Sequence, residues 1–189
     1  MTPLRPSGLA GLLGLSLLLL GTIPTPAGAA LPPGATAPAF TTEAALGGKP
    51  FTFSLAEALK KGPVVLYFYP KAFTSGCTVE AHLFAEATPE FNRLGPRVMG
   101  VPNDSIETRK KSSAGACRNQ FAVGADDGRI IRLYDAGFML APNVADRISY
   151  VIAPDGKVIE AYSSMNPEGH VTRTMAAVKK WLQARGKPL

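Results

Sequence analysis

A chain of 189 residues is long enough for one domain with a substantial core and too short for two ordinary ones. Its 46% hydrophobic and 18% charged content excludes a disordered chain. A net charge of +6 raises nucleic-acid binding, but the Lys and Arg are scattered, no basic stretch is interleaved with aromatics and no nucleic-acid motif occurs, so the basic balance reads as that of an exported surface.

At the N-terminus, Arg5 precedes an apolar segment, Leu9 to Leu20, then Pro24, Pro26 and the small residues Ala27-Gly28-Ala29-Ala30. That order reads as a secretory signal peptide over residues 1–29, cleaved after Ala29 or Ala30. About 12 apolar residues fall short of the ~20 that span a bilayer, and no cysteine at the cleavage site could carry a lipid. The expectation is a single domain over 30–189, exported to the periplasm or secreted, with no membrane attachment after cleavage.

Leu31 to Leu46 reads as an extended lead-in, and Gly47-Gly48 as a loop before a short strand, Phe51 to Phe53. Ser54, with Glu57 three residues on, opens a short helix to about Lys61. Val64 to Tyr69 is a continuous apolar run with the length and β-branched/aromatic content of a buried strand. After the loop between Pro70 and Gly76 the pattern suits a helix from Thr78, which Pro89 kinks or ends before a further segment to Leu94. Cys77 sits at the strand-to-helix join, where unpaired N–H groups and the positive end of the helix dipole favour a thiolate.

Arg97 to Pro102 reads as a second strand, and Asp104 with Glu107 as the cap of the next helix. That helix is weak: Ile106, Ala114, Cys117 and Phe121 share a face, which Lys110 and Gly115 interrupt. A short strand within Phe121–Ala125 and one or two helical turns in Arg129–Tyr134 follow. Ile148–Ala153 and Val158–Tyr162 are strands joined by the turn Pro154-Asp155-Gly156-Lys157. A final helix, about Gly169 to Arg185, carries Val171, Met175, Val178 and Leu182 on one face. Strands alternating with helices, closed by one hairpin, predict an α/β domain with a central mixed β-sheet flanked by α-helices.

The chain has two cysteines, and in an oxidising compartment an even number suggests a structural disulfide. A static Cys77–Cys117 cross-link about 40 residues apart is worth about 4 kcal/mol in the chain-entropy account, so a non-enzymatic binding domain stapled in this way is one alternative. His82 and His170 show no zinc spacing and read as exposed or core-filling.

The run Tyr69-Pro70-Lys71-Ala72-Phe73-Thr74-Ser75-Gly76-Cys77-Thr78 resembles the Pro-x-x-x-Thr-x-x-Cys signature of the peroxiredoxins. The flanking VVLYFYPK and GCTVEA resemble their bacterioferritin-comigratory or Q-type branch, and Arg147 in DRISYVIAPDGKV falls where that family places its active-site arginine. The resemblance covers nearly all of the chain from Ala37 onwards. Alone, Thr74 reads as an N-cap, Arg147 as an ion-pair partner and Cys77 as a buried inert thiol; in this order, together, they read as a site.

The resemblance implies a thioredoxin-like fold and a thiol peroxidase for hydrogen peroxide or organic hydroperoxides, with no metal, haem or flavin. It makes Cys77 the thiol oxidised to sulfenic acid, gives the peroxide oxygens to the Thr74 hydroxyl, Arg147 and the Cys77 amide, and has Pro70 shield the sulfur. Ionisation is only part of such chemistry. A thiol lowered from ~8.5 to ~6 gains about 30-fold in thiolate, about 2 kcal/mol, against the roughly 8–23 kcal/mol that enzymes supply. One common Q-type pattern has a resolving cysteine five residues after the first, where this chain has His82. The role therefore passes to Cys117, on the weak helix, as in some relatives, with an external thiol as the alternative. A thioredoxin-like donor is the implied reductant, and an intramolecular bridge is compatible with a monomer. A thiol–disulfide exchange protein on the same fold would show Cys-x-x-Cys, where this chain has Thr74 in place of the first cysteine.

Overall fold

The computed structural model describes residues 30–189, so the expected signal peptide lies outside the described residues. Within them the chain runs β1 (Thr41–Leu46), β2 (Lys49–Ser54), α1 (Leu55–Leu59), β3 (Val64–Tyr69), α2 (Ser75–Leu94), β4 (Arg97–Pro102), α3 (Ile106–Ala114) and β5 (Ala122–Gly124). It continues with α4 (Arg129–Leu133), β6 (Gly137–Phe138), β7 (Ala141–Ala145), β8 (Ile148–Ile152), β9 (Val158–Ser163) and α5 (Glu168–Gln183). Seven strands form one sheet in the order β2-β1-β5-β4-β3-β8-β9, and β6 and β7 make a separate ribbon. The middle strands β5, β4 and β3 are parallel, and the outer ones join antiparallel.

The apolar run of β3 is explained by its two-sided burial. Val64, Leu66 and Phe68 face a core shared with α1 and α4, and Val65, Tyr67 and Tyr69 face a second core under α2 and α5. The second core also holds Cys77 and Cys117.

Several boundaries differ from the sequence expectation, each for a local reason. The latter part of the lead-in is strand β1, joined to β2 by Gly47-Gly48 with φ of 56° and 76°, both positive as a two-residue hairpin of this kind needs. Helix α2 starts at Ser75, not Thr78, so Cys77 is its third residue rather than the residue before it. It also runs through Pro89 to Leu94: Phe84, Ala85 and Thr88 before the proline and Phe91 and Leu94 after it are buried, so packing holds both sides of the break. Helix α3 ends at Ala114, which leaves Cys117 in the turn beyond it and not on the helix. Its N-cap is Ser105, whose hydroxyl accepts the Thr108 N–H, and not Asp104. The buried set of α5 is His170, Thr174, Val178 and Leu182, with Val171 and Met175 at the margin.

Strand register assembles one end of the sheet. Phe68 pairs with Ile148 on antiparallel β8, so the residues after Tyr69 emerge beside the residue before Ile148, which is Arg147. Tyr69 pairs with Pro102 on parallel β4, so the loop after β3 also lies beside Asn103 and Asp104.

Candidate active site around Cys77

Thr74 is the N-cap of α2, with extended backbone at φ −78° and ψ 154°. The first helical bond is Thr78 N–H to Thr74 C=O at 2.8 Å, so the amides of Ser75, Gly76 and Cys77 precede the ladder and add their partial charge at the sulfur. The Thr74 side chain makes no capping bond. It donates to the Lys71 carbonyl at 3.1 Å, which directs the proton away and leaves the oxygen lone pairs to accept from a donor. Pro70 follows β3 directly and is half-buried.

Cys77 and Arg147 are 3% exposed each, and the Arg147 Nη2 donates to Cys77 Sγ at 3.4 Å. Its Nη1 donates to Glu80 Oε2, one helical turn along α2. Burial pushes the Glu80 carboxyl up to about 8, against the pull of Arg147.

Gly76 sits against the same guanidinium: a Cβ there would lie 3.2 Å from Arg147 Nη2. Gly76→Ala is expected to leave folding stability unchanged or raised by up to about 1 kcal/mol, because alanine is the better helix former. Peroxide reactivity should fall about tenfold as Nη2 is displaced. Urea denaturation alongside stopped-flow oxidation reads both effects.

Behind Glu80, His170 is fully buried. Its Nε2 lies 2.8 Å from the Ser164 carbonyl, which can only accept, so that nitrogen carries the proton and Nδ1 accepts from Ser149 Oγ at 2.8 Å. Burial lowers the His170 pKa to about 4. With the ordinary value near 6.5, the unfolded chain binds this proton first, so the stability from neutral His170 is complete above about pH 6.5 and is lost as pH falls towards 4. Between pH 7 and pH 5 the urea midpoint of the parent should therefore fall relative to that of His170→Gln, which lacks this loss.

Of the sequence candidates, Cys77, Thr74 and Arg147 meet at this end of the sheet, with Pro70 entering the same loop. Cys117 is a separate free thiol, fully buried in the turn after α3. Burial pushes its pKa up to about 12, although the Ser112 hydroxyl opposes this. Its turn is strained, since Arg118 and Asn119 take φ of 48° and 59°. Left-handed backbone costs roughly 1–2 kcal/mol per residue, less for asparagine. Sequence reasoning did not single out Glu80, Ser149 or the bonded role of His170. Glu80 was within reach, being three residues from Cys77 on one helix face; the other two depend on tertiary placement.

Residues 33–161 match the AhpC/TSA family model. Over 144 residues the chain is 32% identical to the chloroplastic peroxiredoxin Q of Sedum lineare, the alignment covering 75% of each protein. Over 125 residues it is 34% identical to peroxiredoxin Bcp of Xanthomonas campestris pv. campestris, covering 61% of this chain and 76% of that one. The crystal structure of peroxidoxin BcpB from Mycobacterium tuberculosis superposes with a TM-score of 0.70 at 26% identity, over 78% of this chain and 96% of that one. The mixed sheet flanked by helices is the thioredoxin-like fold of these neighbours.

Proposed function

The chain belongs to the AhpC/TSA family as a Bcp/Q-type peroxiredoxin, a thiol-dependent peroxidase, and we propose that its catalytic cycle runs through Cys77 and Cys117. The observation that carries this assignment is the Arg147 Nη2 at 3.4 Å from a cysteine sulfur in the first turn of α2. The Cys77 thiolate attacks one peroxide oxygen, the O–O bond breaks, and the departing oxygen leaves as hydroxide or alkoxide. Arg147 and the first-turn amides stabilise the negative charge as it moves from sulfur to that oxygen, and Thr74 orients the peroxide in line.

Attack leaves Cys77 as sulfenic acid. The Cys117 thiolate then forms the disulfide and expels hydroxide, and a thioredoxin-type dithiol reduces it. Cys117 reaches Cys77 by opening of its own turn, a step supported by the weak α3 and the left-handed Arg118 and Asn119. Neither a permanent Cys77–Cys117 staple nor a dithiol exchange site accounts for Thr74 and Arg147 around Cys77. The leader-like composition of residues 1–29 supports export, and an intramolecular disulfide is compatible with a monomer.

Fully reduced protein mixed with one equivalent of hydrogen peroxide should lose both thiols and two hydrogens of mass. Intact thiols after mixing would sink the assignment. In Cys117→Ser, one turnover should end in a sulfenic acid on Cys77, detectable as one added oxygen. The pH dependence has a definite sign. The closed turn keeps the Cys117 proton to about 12 against an ordinary thiol near 9, so closure is fully stable below about pH 9 and weakens as pH rises towards 12. In the opened turn the thiolate fraction grows about tenfold per pH unit below the thiol pKa. Disulfide formation should therefore quicken steadily between pH 6 and pH 8, as followed by rapid acid quench and mass.

A further inference from the structure

Two residues suited to capping stand in succession before α3, and only one caps it. Ser105 accepts the Thr108 N–H, which frees Asp104. The Asp104 Oδ2 instead accepts the backbone N–H of Ala72 at 2.8 Å, across 32 residues of sequence. Ala72 belongs to the loop that carries Thr74 to the start of α2. The next residue, Phe73, has φ of 62° and is 55% exposed, so its own packing does little to hold that strained backbone. The Tyr69–Pro102 register brings the two segments side by side, and the Asp104 bond fixes one against the other.

We infer that Asp104 is a positioning residue for peroxide attack: through Ala72 it holds the loop that sets Thr74 and the first-turn amides of α2 around Cys77. This rests on the assignment of Cys77 as the peroxide-reactive thiol. The Asp104 carboxylate bonds the Ala72 amide and not the Cys77 sulfur. It also stands at the root of α3, upstream of the turn that must open for Cys117. Its bond favours the attack geometry and takes no part in the opening of the Cys117 turn. The two steps should therefore respond differently to its loss.

The test compares full-length Asp104→Ala and Asp104→Asn with the parent protein, taking separately the second-order rate of Cys77 oxidation by hydrogen peroxide and the first-order rate of disulfide formation. Asp104→Ala should lower the first rate about 10- to 100-fold, as expected when reacting groups are misplaced by about an ångström, with the second unchanged. Asp104→Asn keeps an acceptor oxygen for the Ala72 N–H and should stay within about threefold of the parent in both. Equal losses in the two steps, an Asp104→Asn protein as slow as Asp104→Ala, or no loss in either variant would overturn the inference.

Hydrogen exchange on the unaltered protein reads the same bond should Asp104→Ala fail to fold. Ala72 should be protected while Phe73 exchanges freely, and equal exchange at the two amides overturns the inference. A parent protein whose Cys77 does not react with peroxide overturns the catalytic assignment itself, a failure distinct from all of these.

Discussion

A Cys77→Ser protein folds normally and turns over no peroxide. Serine differs from cysteine by one atom and occupies the same buried first-turn position, so the change in stability should stay within about 1 kcal/mol. A serine hydroxyl at neutral pH supplies no comparable nucleophile, and its weak attack cannot be rescued by donors arranged to stabilise a departing oxygen. Peroxide consumption coupled to a thioredoxin-type reductant should drop to background, a loss of at least about 10³-fold. Retained turnover would move the chemistry to another residue. With Cys117→Ser the pair separates the two thiols: one substitution removes the first turnover, and the other permits it and removes the second.

Arg147→Met is expected to fail in two ways. It removes the donor that meets Cys77 Sγ, and loss of one preorganised donor costs about 10²–10³ in rate, with a full guanidinium charge at the upper end. It also strands Glu80, a fully buried carboxyl left without its guanidinium donor; leaving a buried polar group unsatisfied costs roughly 1–3 kcal/mol. The second effect is reversible and the first is not. Adding Glu80→Leu to Arg147→Met should recover most of the denaturation midpoint, because the buried polar group left without its partner is gone, while peroxide reactivity stays low. Recovery of both together would assign Arg147 a purely structural role.

What the sequence disclosed follows from how local each signal was. Strand β3, the hairpin β8–β9 and the Ser54 cap depend on neighbours within a few residues, and all appear as read. Strand β1 was hidden because Ala44 and Ala45 are adjacent and both buried, which obscures period-two alternation. The α3 cap went to Ser105 because Asp104 had a distant partner in Ala72, a contact set by strand register rather than by spacing. At the site, Cys77, Thr74, Pro70 and Arg147 were legible through a motif. The Glu80–His170–Ser149 cluster behind Arg147 was not, since its bonds join residues distant in sequence, Ser149 to His170 across 21 positions and Glu80 to Arg147 across 67. Cys117 was legible as a second thiol, but its place in a strained turn beyond the helix rests on the backbone of Arg118 and Asn119.

In the proposed cycle, the burial of Cys117 also gives the enzyme a limited working life under oxidant. Each sulfenic acid on Cys77 has two fates: capture by Cys117 at a rate capped by opening of its turn, or reaction with a second peroxide to give a sulfinic acid and water. The first rate is independent of oxidant and the second grows in proportion to it. Sulfinic acid is not returned to the thiol by ordinary dithiols. The fraction of molecules retired per cycle is thus the second rate over the sum of the two, and the strain stored at Arg118 and Asn119 sets the peroxide concentration at which half of them are retired.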